Sequence, residues 1–390
     1  MSIRVDGINP SATLAVDSKA KELRAAGKSI VSFAAGEPDF PTPHYIVDAA
    51  IAAIQAPEMH KYSPAAGLPK LRDIIAQESN RTTGSKIHAG NTLVANGAKQ
   101  AIFSALAAII DPGDEVLIPV PYWTTYPELA AFFGGVPIPV QPGNDIRDFP
   151  TVAELQAATT EKTKLLIWCS PSNPTGMVAS EKLSREVLDW AEKAGIWILS
   201  DEIYRKLYYG SGLVPTLRSI GGLDYEKLVV IDGVSKTYSM TGWRVGWVIG
   251  SDSFINQVAR LQSHMASNVN NAAQAAAAAA LEAEQTAADN MLEAFARRRE
   301  IIVRELGEIP GIEVAVPEGA FYVFSEVTEF CRAHGLASSQ ELALRLLEEV
   351  GVATVPGEAF GVSGFLRFSY ALSDDDIIEG MRRIKELGAE

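Results

Sequence analysis

A repeated alternation of strand-like and helix-like segments between about residue 90 and residue 250 limits the folds open to this chain. Short apolar runs rich in β-forming residues are each followed by a polar loop and a helical pattern. The runs are 92–95, 115–120, 164–168, 196–199, 227–231 and 244–249. Runs that are apolar at successive positions fit strands buried on both faces, and strands that alternate with helices form a mostly parallel sheet. The sequence therefore predicts an α/β domain.

The chain after residue 250 shows a different mixture of patterns. The alanine-rich segment 272–285 predicts a buried helix, because alanine is the strongest helix former and its small side chain permits close packing. Segments 291–306 and 341–350 have helical spacing, and segments 312–316, 321–324 and 365–370 are typical of strands. We expect a second, smaller α+β domain, which the N-terminal segment joins.

Composition and charge exclude several classes of protein. The 390 residues are 47% apolar and 21% charged, which is ordinary for a globular protein long enough for two domains. The two cysteines lie far apart and the five histidines are scattered, so we expect neither a disulfide framework nor a metal site. A net charge of -14 argues against sequence-independent binding of nucleic acid.

The apolar stretches predict no association with a membrane. The longest, 101–110, is too short to span a bilayer, and residues 1–10 lack the apolar run of a secretion signal. We expect a soluble, cytoplasmic protein.

Functional side chains follow the predicted strands. Ligands bind beyond the carboxyl ends of the strands of an open α/β sheet, so these positions are candidate contacts. They hold in turn a helix start at 96–100, Trp123, Asn173, Asp201 with Tyr204, and Lys236 with Arg244. Pyridoxal phosphate needs such a set: a lysine for its aldehyde, a carboxylate for its ring nitrogen, and donors for its phosphate.

Each of these residues also has a structural interpretation. Asp201 is equally a candidate helix N-cap, Trp123 a packing residue, and Asn173 a turn residue. Ser235 beside the lysine is a candidate for bonding to backbone, and Arg367 for a surface ion pair.

Eight short motifs give the chain a resemblance to the fold-type I pyridoxal-phosphate enzymes, and within them to the class I aminotransferases. The motifs occur in the family's order over nearly the whole length, and the likeness is closest to bacterial aspartate aminotransferases. They are AGEPDF (35–40), KYSPAAGLP (61–69), NPTG (173–176), SDEIY (200–204), SK (235–236), MTGWR (240–244), EGAFY (318–322) and RFSY (367–370). The resemblance implies a large cofactor-binding domain, residues 45–285, with a mostly parallel seven-stranded sheet. Residues 1–44 and 286–390 would form the smaller α+β domain.

The resemblance implies a role for each cofactor-binding residue. Lys236 would hold the cofactor as a Schiff base and carry the proton, and Asp201 would pair with the ring nitrogen. Tyr204 and Asn173 would bond the ring hydroxyl, and Trp123 would stack on the ring. The phosphate ligands would be Ser235, Arg244, the amides of Ala98 and Lys99, and Tyr62 of a neighbouring subunit. The protein would then be a homodimer with shared active sites.

The same resemblance implies the substrate. Arg367, with Asn173 and the backbone of Gly36, would clamp the α-carboxylate. Lys99, with Ser11 and Thr13, would receive a distal carboxylate, and Trp123 would line the substrate site. Alternatively, Lys99 neutralises only the phosphate. We expect transfer of the amino group of L-aspartate to 2-oxoglutarate by a ping-pong cycle.

The sequence is also compatible with other functions. The nearest alternatives are a prephenate or aromatic amino-acid aminotransferase and a carbon–sulfur lyase on the same fold. Two further classes are less well supported. One is a transcription regulator that carries this fold as its effector-sensing half; we expect no DNA-binding domain before it, because the motifs begin near residue 10. The other is a nucleotide-binding Rossmann enzyme, whose G-x-G-x-x-G motif does not follow the first strand.

Overall fold

The computed structural model describes residues 2–388, which form helices around one large and two small sheets. The helices in this range are α1 (Ile3–Asp6), α2 (Ala12–Ala25), α3 (His44–Gln55), α4 (Pro69–Thr83), α5 (Ala98–Ile109), α6 (Thr125–Phe132), α7 (Val152–Ala157), α8 (Glu181–Ala194), α9 (Asp252–Met265), α10 (Asn271–Glu282), α11 (Thr286–Gly307), α12 (Thr328–Ala333), α13 (Ser339–Glu349) and α14 (Asp374–Leu387). The strands are β1 (Val31–Ser32), β2 (Thr92–Ala95), β3 (Glu115–Pro119), β4 (Val136–Val140), β5 (Thr163–Cys169), β6 (Trp197–Asp201), β7 (Leu228–Gly233), β8 (Gly246–Ile249), β9 (Tyr322–Glu326), β10 (Val352–Ala353), β11 (Val355–Pro356) and β12 (Phe365–Ser369). Short 3₁₀ helices lie at Pro57–His60, Ala89–Asn91, Gly222–Asp224, Thr241–Trp243 and Gly357–Phe360.

The large sheet has seven strands in the order β2-β8-β7-β6-β5-β3-β4. Neighbours from β7 to β4 run parallel, whereas β8 is antiparallel to both β2 and β7. The predicted fold class, an α/β protein with a mostly parallel seven-stranded sheet, is therefore confirmed. All six apolar runs form strands of this sheet, with ends shifted by a few residues at most.

The strand pattern of the sequence did not include β4. This strand carries Pro137 and Pro139 and lies at the edge of the sheet. Proline has no N–H to donate to a neighbouring strand, so a proline-containing strand is confined to an edge. The two prolines therefore masked the strand pattern in the sequence, and they also explain the position of the strand at the edge.

The alanine-rich segment forms a buried helix, as predicted. Helix α10 begins at an Asn270 N-cap, whose side chain accepts a bond from the Ala273 amide. It packs against α3 and α4, and eight of its residues are buried. Small side chains on this helix permit the close approach of both neighbours.

The smaller sheets confirm two of the three strands predicted near the C-terminus. Strand β12 lies between β9 and β11 in an antiparallel sheet, and β1 pairs in parallel with β10. The prediction of a strand at 312–316 is wrong, since this segment makes only a single bridge, Glu313 with Glu326. After the bridge the chain no longer pairs with the sheet, and Pro317, the next residue after this segment, lies against Gly176.

Two large apolar cores meet next to β6. One core, which contains Trp168 and Val230, packs against one face of the seven-stranded sheet. The other contains Phe295 and Phe321 and also takes in Tyr204, from the loop that follows β6. The division into residues 45–285 and the remainder stays a prediction. Over residues 2–388, every helix is too short or too polar to cross a membrane.

Candidate active site

A cavity of about 430 Å³ lies at the carboxyl ends of the parallel strands. Every residue predicted to bind cofactor or substrate lines this cavity except Tyr62: Ser11, Thr13, Gly36, Ala98, Lys99, Trp123, Asn173, Asp201, Tyr204, Ser235, Lys236, Arg244 and Arg367. Tyr62 is instead 90% exposed on the surface. The topology explains this convergence, because parallel strands end at one edge of the sheet.

Lys236 follows β7 and extends its amine into the cavity. Its Nζ donates a hydrogen bond of 2.6 Å to the carbonyl of Gly36. Burial, reinforced by Arg244 and Arg367, lowers the pKa of Lys236 to about 8, although Glu37 acts in the opposite direction. An amine with this pKa is neutral in a useful fraction near neutral pH, and only the neutral amine attacks a carbonyl.

Asp201, the last residue of β6, presents a buried carboxylate to the cavity. Its Oδ2 accepts a bond of 2.7 Å from the Tyr126 hydroxyl, and its Oδ1 accepts from the Ile203 amide at 3.2 Å. Burial raises the pKa of Asp201 to about 6, and the bond from Tyr126 opposes this rise. The N-cap interpretation of Asp201 is wrong, since a turn follows it and not an α-helix.

Arg367, on β12, is a buried cation without an acidic partner in the described part of the chain. Its Nη1 donates to Asn173 Oδ1 at 3.0 Å and its Nη2 to the Ala34 carbonyl at 2.8 Å. Its Nε is buried and has no hydrogen-bond partner within residues 2–388. Burial lowers the pKa of Arg367. The ion-pair interpretation is therefore wrong, and a buried guanidinium that lacks an acidic partner within residues 2–388 is suited to a carboxylate ligand.

The end of the cavity around Arg244 is suited to an anion. Gly97, with φ of 82°, precedes α5, and a Cβ at this residue would lie 2.4 Å from Arg244 Nη2. The absence of that Cβ lets the guanidinium reach the helix start, where backbone N–H groups are free. Arg244 itself donates to the Thr241 carbonyl at 2.8 Å. A guanidinium and a helix N-terminus together attract a phosphate group.

Lys99 and Trp123 form the wall next to this end. The Lys99 Nζ lies 4.9 Å from the centre of the Trp123 ring. Burial and the charge of Arg244 lower the pKa of Lys99, although the side chain still faces the open cavity. Tyr126 packs edge-on to Trp123 with ring centres 5.4 Å apart, which fixes the plane of the indole.

Comparison with known proteins assigns the family. Residues 28–384 match the family described as Aminotransferase class I and II. The chain belongs to this family. An aspartate aminotransferase of Streptomyces avermitilis is 50% identical, covering 100% of this chain and 97% of that protein. The aspartate/prephenate aminotransferase of Nitrosomonas europaea is 39% identical over 99% of both chains.

Solved aminotransferase structures share the whole architecture. The aspartate aminotransferase of Thermus thermophilus with maleate superimposes with a TM-score of 0.92 at 36% identity, covering 99% of both chains. The enzyme of Rhizobium meliloti gives 0.93 at 34% identity, covering 100% of this chain and 98% of that one. The predicted resemblance is confirmed.

Several residues of this aminotransferase site escaped the sequence analysis. Cys169 ends β5 beside Asp201, and burial raises the pKa of its thiol to about 12, so the thiol stays neutral. Asp17 and Lys21 of α2 also line the cavity and form an ion pair at 2.7 Å. Tyr322 Oη lies 2.8 Å from Tyr204 Oη. Only Tyr322 had a signal, since it ends the EGAFY motif.

Proposed function

We propose that this aminotransferase uses pyridoxal phosphate to move the amino group of L-aspartate to 2-oxoglutarate in a ping-pong cycle. One observation carries the proposal: the amine of Lys236 shares a cavity with the buried carboxylate of Asp201 and with the guanidinium of Arg367, which has no acidic partner among the described residues. The names of the relatives at 50% and 41% identity support aspartate as donor.

The residues present fit pyridoxal phosphate. When bound, this cofactor supplies an electron sink that makes the Cα–H of an amino acid acidic. The chain would hold it covalently through Lys236, and by the stacking face of Trp123. Asp201 would pair with its ring nitrogen, and Tyr204 and Asn173 with its ring hydroxyl. Arg244, Ser235 and the amides of Ala98 and Lys99 would bind its phosphate, which fits the positive end of the cavity.

Lys236 is also suited to move the proton. Its Nζ has a pKa of about 8, so it accepts a proton and gives it up near neutral pH. Its hydrogen bond to the Gly36 carbonyl holds the amine within the cavity. We propose that Nζ, once the substrate amine has taken its place on the cofactor, would take up the proton that leaves the substrate Cα and later give it up again.

Two positively charged ends would orient the substrate. The α-carboxylate would bind Arg367, whose guanidinium is held by Asn173 and the Ala34 carbonyl. The distal carboxylate would reach Lys99, with Ser11 and Thr13 nearby at the mouth of the cavity. A ligand fixed at both ends presents its Cα to one face, which places the proton near Nζ of Lys236.

We also propose a homodimer in which Tyr62 reaches the phosphate of the other subunit. The support is the 90% exposure of this aromatic side chain and the exposed apolar residues Ile51 and Ile54 of α3. Exposed apolar residues that form a contiguous patch commonly mark a protein–protein interface. The cytoplasmic location stays a prediction.

A second candidate is the transfer of the amino group to prephenate, which the name of the Nitrosomonas europaea relative favours. One experiment separates the candidates. Purified protein with pyridoxal phosphate is mixed with L-aspartate and either 2-oxoglutarate or prephenate, and oxaloacetate is measured.

Formation of oxaloacetate that requires 2-oxoglutarate supports the proposal. Turnover only with prephenate selects the second candidate. In a further arm cystathionine is supplied without any oxo acid, and release of pyruvate and ammonia there would select the lyase. The absence of turnover in every arm would contradict all three.

A further inference from the structure

Tyr322 contacts two residues of the proposed active site. Its hydroxyl lies 2.8 Å from the hydroxyl of Tyr204, and the face of its ring lies 4.5 Å below the guanidinium carbon of Arg367. The side chain is 1% exposed, so both contacts are shielded from water. The first partner is assigned above to the cofactor and the second to the substrate, so this inference rests on the proposed function.

The backbone fixes the position of the Tyr322 hydroxyl. A Cβ at Gly36 would lie 3.0 Å from it, which is closer than most such contacts, so the glycine leaves room for the hydroxyl at this place. The carbonyl of the same Gly36 accepts the bond from Lys236 Nζ. The ring is held at its edge by Tyr204, whose ring centre lies 5.7 Å away at an angle of 81°. The side chain therefore has little freedom to move away from its two partners.

The direction of the hydrogen bond between Tyr322 and Tyr204 follows from the role proposed for Tyr204 as a donor to the cofactor. A phenol has one proton, so Tyr204 can donate to a ligand only if its oxygen accepts from its neighbour. Tyr322 must then be the donor in the pair. A hydroxyl that accepts a bond becomes a stronger donor, because hydrogen bonds in a chain polarise one another.

We propose that Tyr322 is a positioning residue, which strengthens the bond from Tyr204 to the ring oxygen of the cofactor and holds the guanidinium of Arg367 flat for the substrate carboxylate. Its hydroxyl serves the first task and its ring serves the second. The two tasks can be separated by substitution, because phenylalanine keeps the ring and leucine keeps neither.

Two measurements on cofactor-loaded protein test the proposal. The first is a pH titration of the visible absorbance of the Lys236–cofactor linkage. A weaker bond from Tyr204 leaves more electron density on the ring oxygen, which then holds the proton of the linkage more firmly. Tyr322→Phe should therefore raise the pKa of the linkage by about 0.4 to 1 unit, the change expected for one neutral hydrogen bond.

The second measurement is the dissociation constant of maleate, a dicarboxylate without an amino group. Tyr322→Phe should change it less than about twofold, whereas Tyr322→Leu should raise it roughly threefold to tenfold through loss of the cation–π contact. Thermal unfolding establishes that each variant is folded.

The matched control is Tyr370→Phe. Tyr370 is fully buried, bonds to Tyr209 at 3.1 Å and does not line the cavity. Loss of this hydroxyl should leave both measurements unchanged.

Tyr204→Phe should raise the pKa of the linkage more than Tyr322→Phe does, and Tyr204→Phe with Tyr322→Phe should add nothing further. If the wild-type linkage titrates and Tyr322→Phe titrates at the same pH, Tyr322 has no such role although the proposed function stands. If the wild-type protein forms no linkage, the proposed function fails, and the inference fails with it.

Discussion

Replacement of Lys99 by alanine tests how this protein selects aspartate. The Lys99 ammonium faces the cavity, 4.9 Å from the Trp123 ring centre, and no carboxylate within residues 2–388 lies within ion-pair distance of it. A substrate carboxylate would therefore gain a partner that is not already engaged. The alternative is that Lys99 serves only the cofactor phosphate beside Arg244.

The size of the effect depends on whether water is excluded from the contact. An exposed ion pair contributes about 0–1 kcal/mol, which is at most about fivefold in kcat/KM. A charge-assisted bond in a closed site contributes about 1.5–3 kcal/mol. Ser11 and Thr13 lie at the start of α2 and line the same cavity, so we expect them to shield the contact from water. We therefore expect Lys99→Ala to lower kcat/KM for aspartate by roughly tenfold to a hundredfold.

The assay compares two amino donors on one preparation at saturating cofactor. Phenylalanine has no distal carboxylate, so its kcat/KM should fall much less than that of aspartate. Lys99→Met is the matched control, since it keeps the apolar stem over Trp123 without the charge, and it should behave like Lys99→Ala. An equal fall for both donors would refute the substrate role and assign Lys99 to the phosphate alone.

The same lysine predicts a dependence on pH. Burial and Arg244 lower the pKa of Lys99 below the ordinary 10.5. The ammonium is present below this lowered pKa and is lost as pH rises through it. The preference for aspartate over phenylalanine should therefore decline as pH rises through this lowered pKa, and in Lys99→Ala it should not change over the same range.

Three further predictions concern other parts of the molecule. Lys236→Ala should reduce transamination by at least roughly 10²–10⁴ while absorbance still detects non-covalently bound cofactor, and retention of half the activity would exclude the role. Tyr126→Phe removes the bond to Asp201 Oδ2, so equilibrium titration should show roughly threefold to tenfold weaker cofactor binding; unchanged binding would mean that the bond is not needed. Burial opposes ionisation of Glu78, but Arg205 and Lys206 hold its pKa at about 2. The ionised carboxylate therefore contributes up to about 3 kcal/mol to the free energy of unfolding. This contribution is present above a pH of about 4.5 and is lost as pH falls towards 2. Urea unfolding should show that loss in the wild type, and Glu78→Gln should lack it.

Patterns local in the chain were predictable, and contacts between distant segments were not. The strand ends carrying Asp201 and Lys236 could be placed together, because parallel strands share one edge. Tyr126 could not, since it lies on α6 and its bond joins residues 75 positions apart in sequence. Nothing in a tyrosine inside an ordinary helical pattern marks it as a partner of a buried carboxylate.

The errors also have physical causes. The prolines of β4 contradict strand propensity in the sheet interior, and only the edge position makes them acceptable. The segment 312–316 has strand propensity, but Pro317, which follows it, lies against Gly176. The segment therefore departs from the small sheet after one bridge. In both places tertiary contacts decided the outcome over local preference.

The loop after β6 has a consequence for attempts to divide this chain into separately expressed pieces. Ile203, Tyr204 and Leu207 leave the large sheet and pack into the core of Phe295 and Phe321. A recombinant fragment of residues 45–285 would expose these side chains to water, so we expect it to self-associate even with its own sheet complete. Adding both missing segments, residues 1–44 and 286–390, in trans should then restore solubility and the cavity together, because Ile203 and Tyr204 belong to this core and also line the cavity.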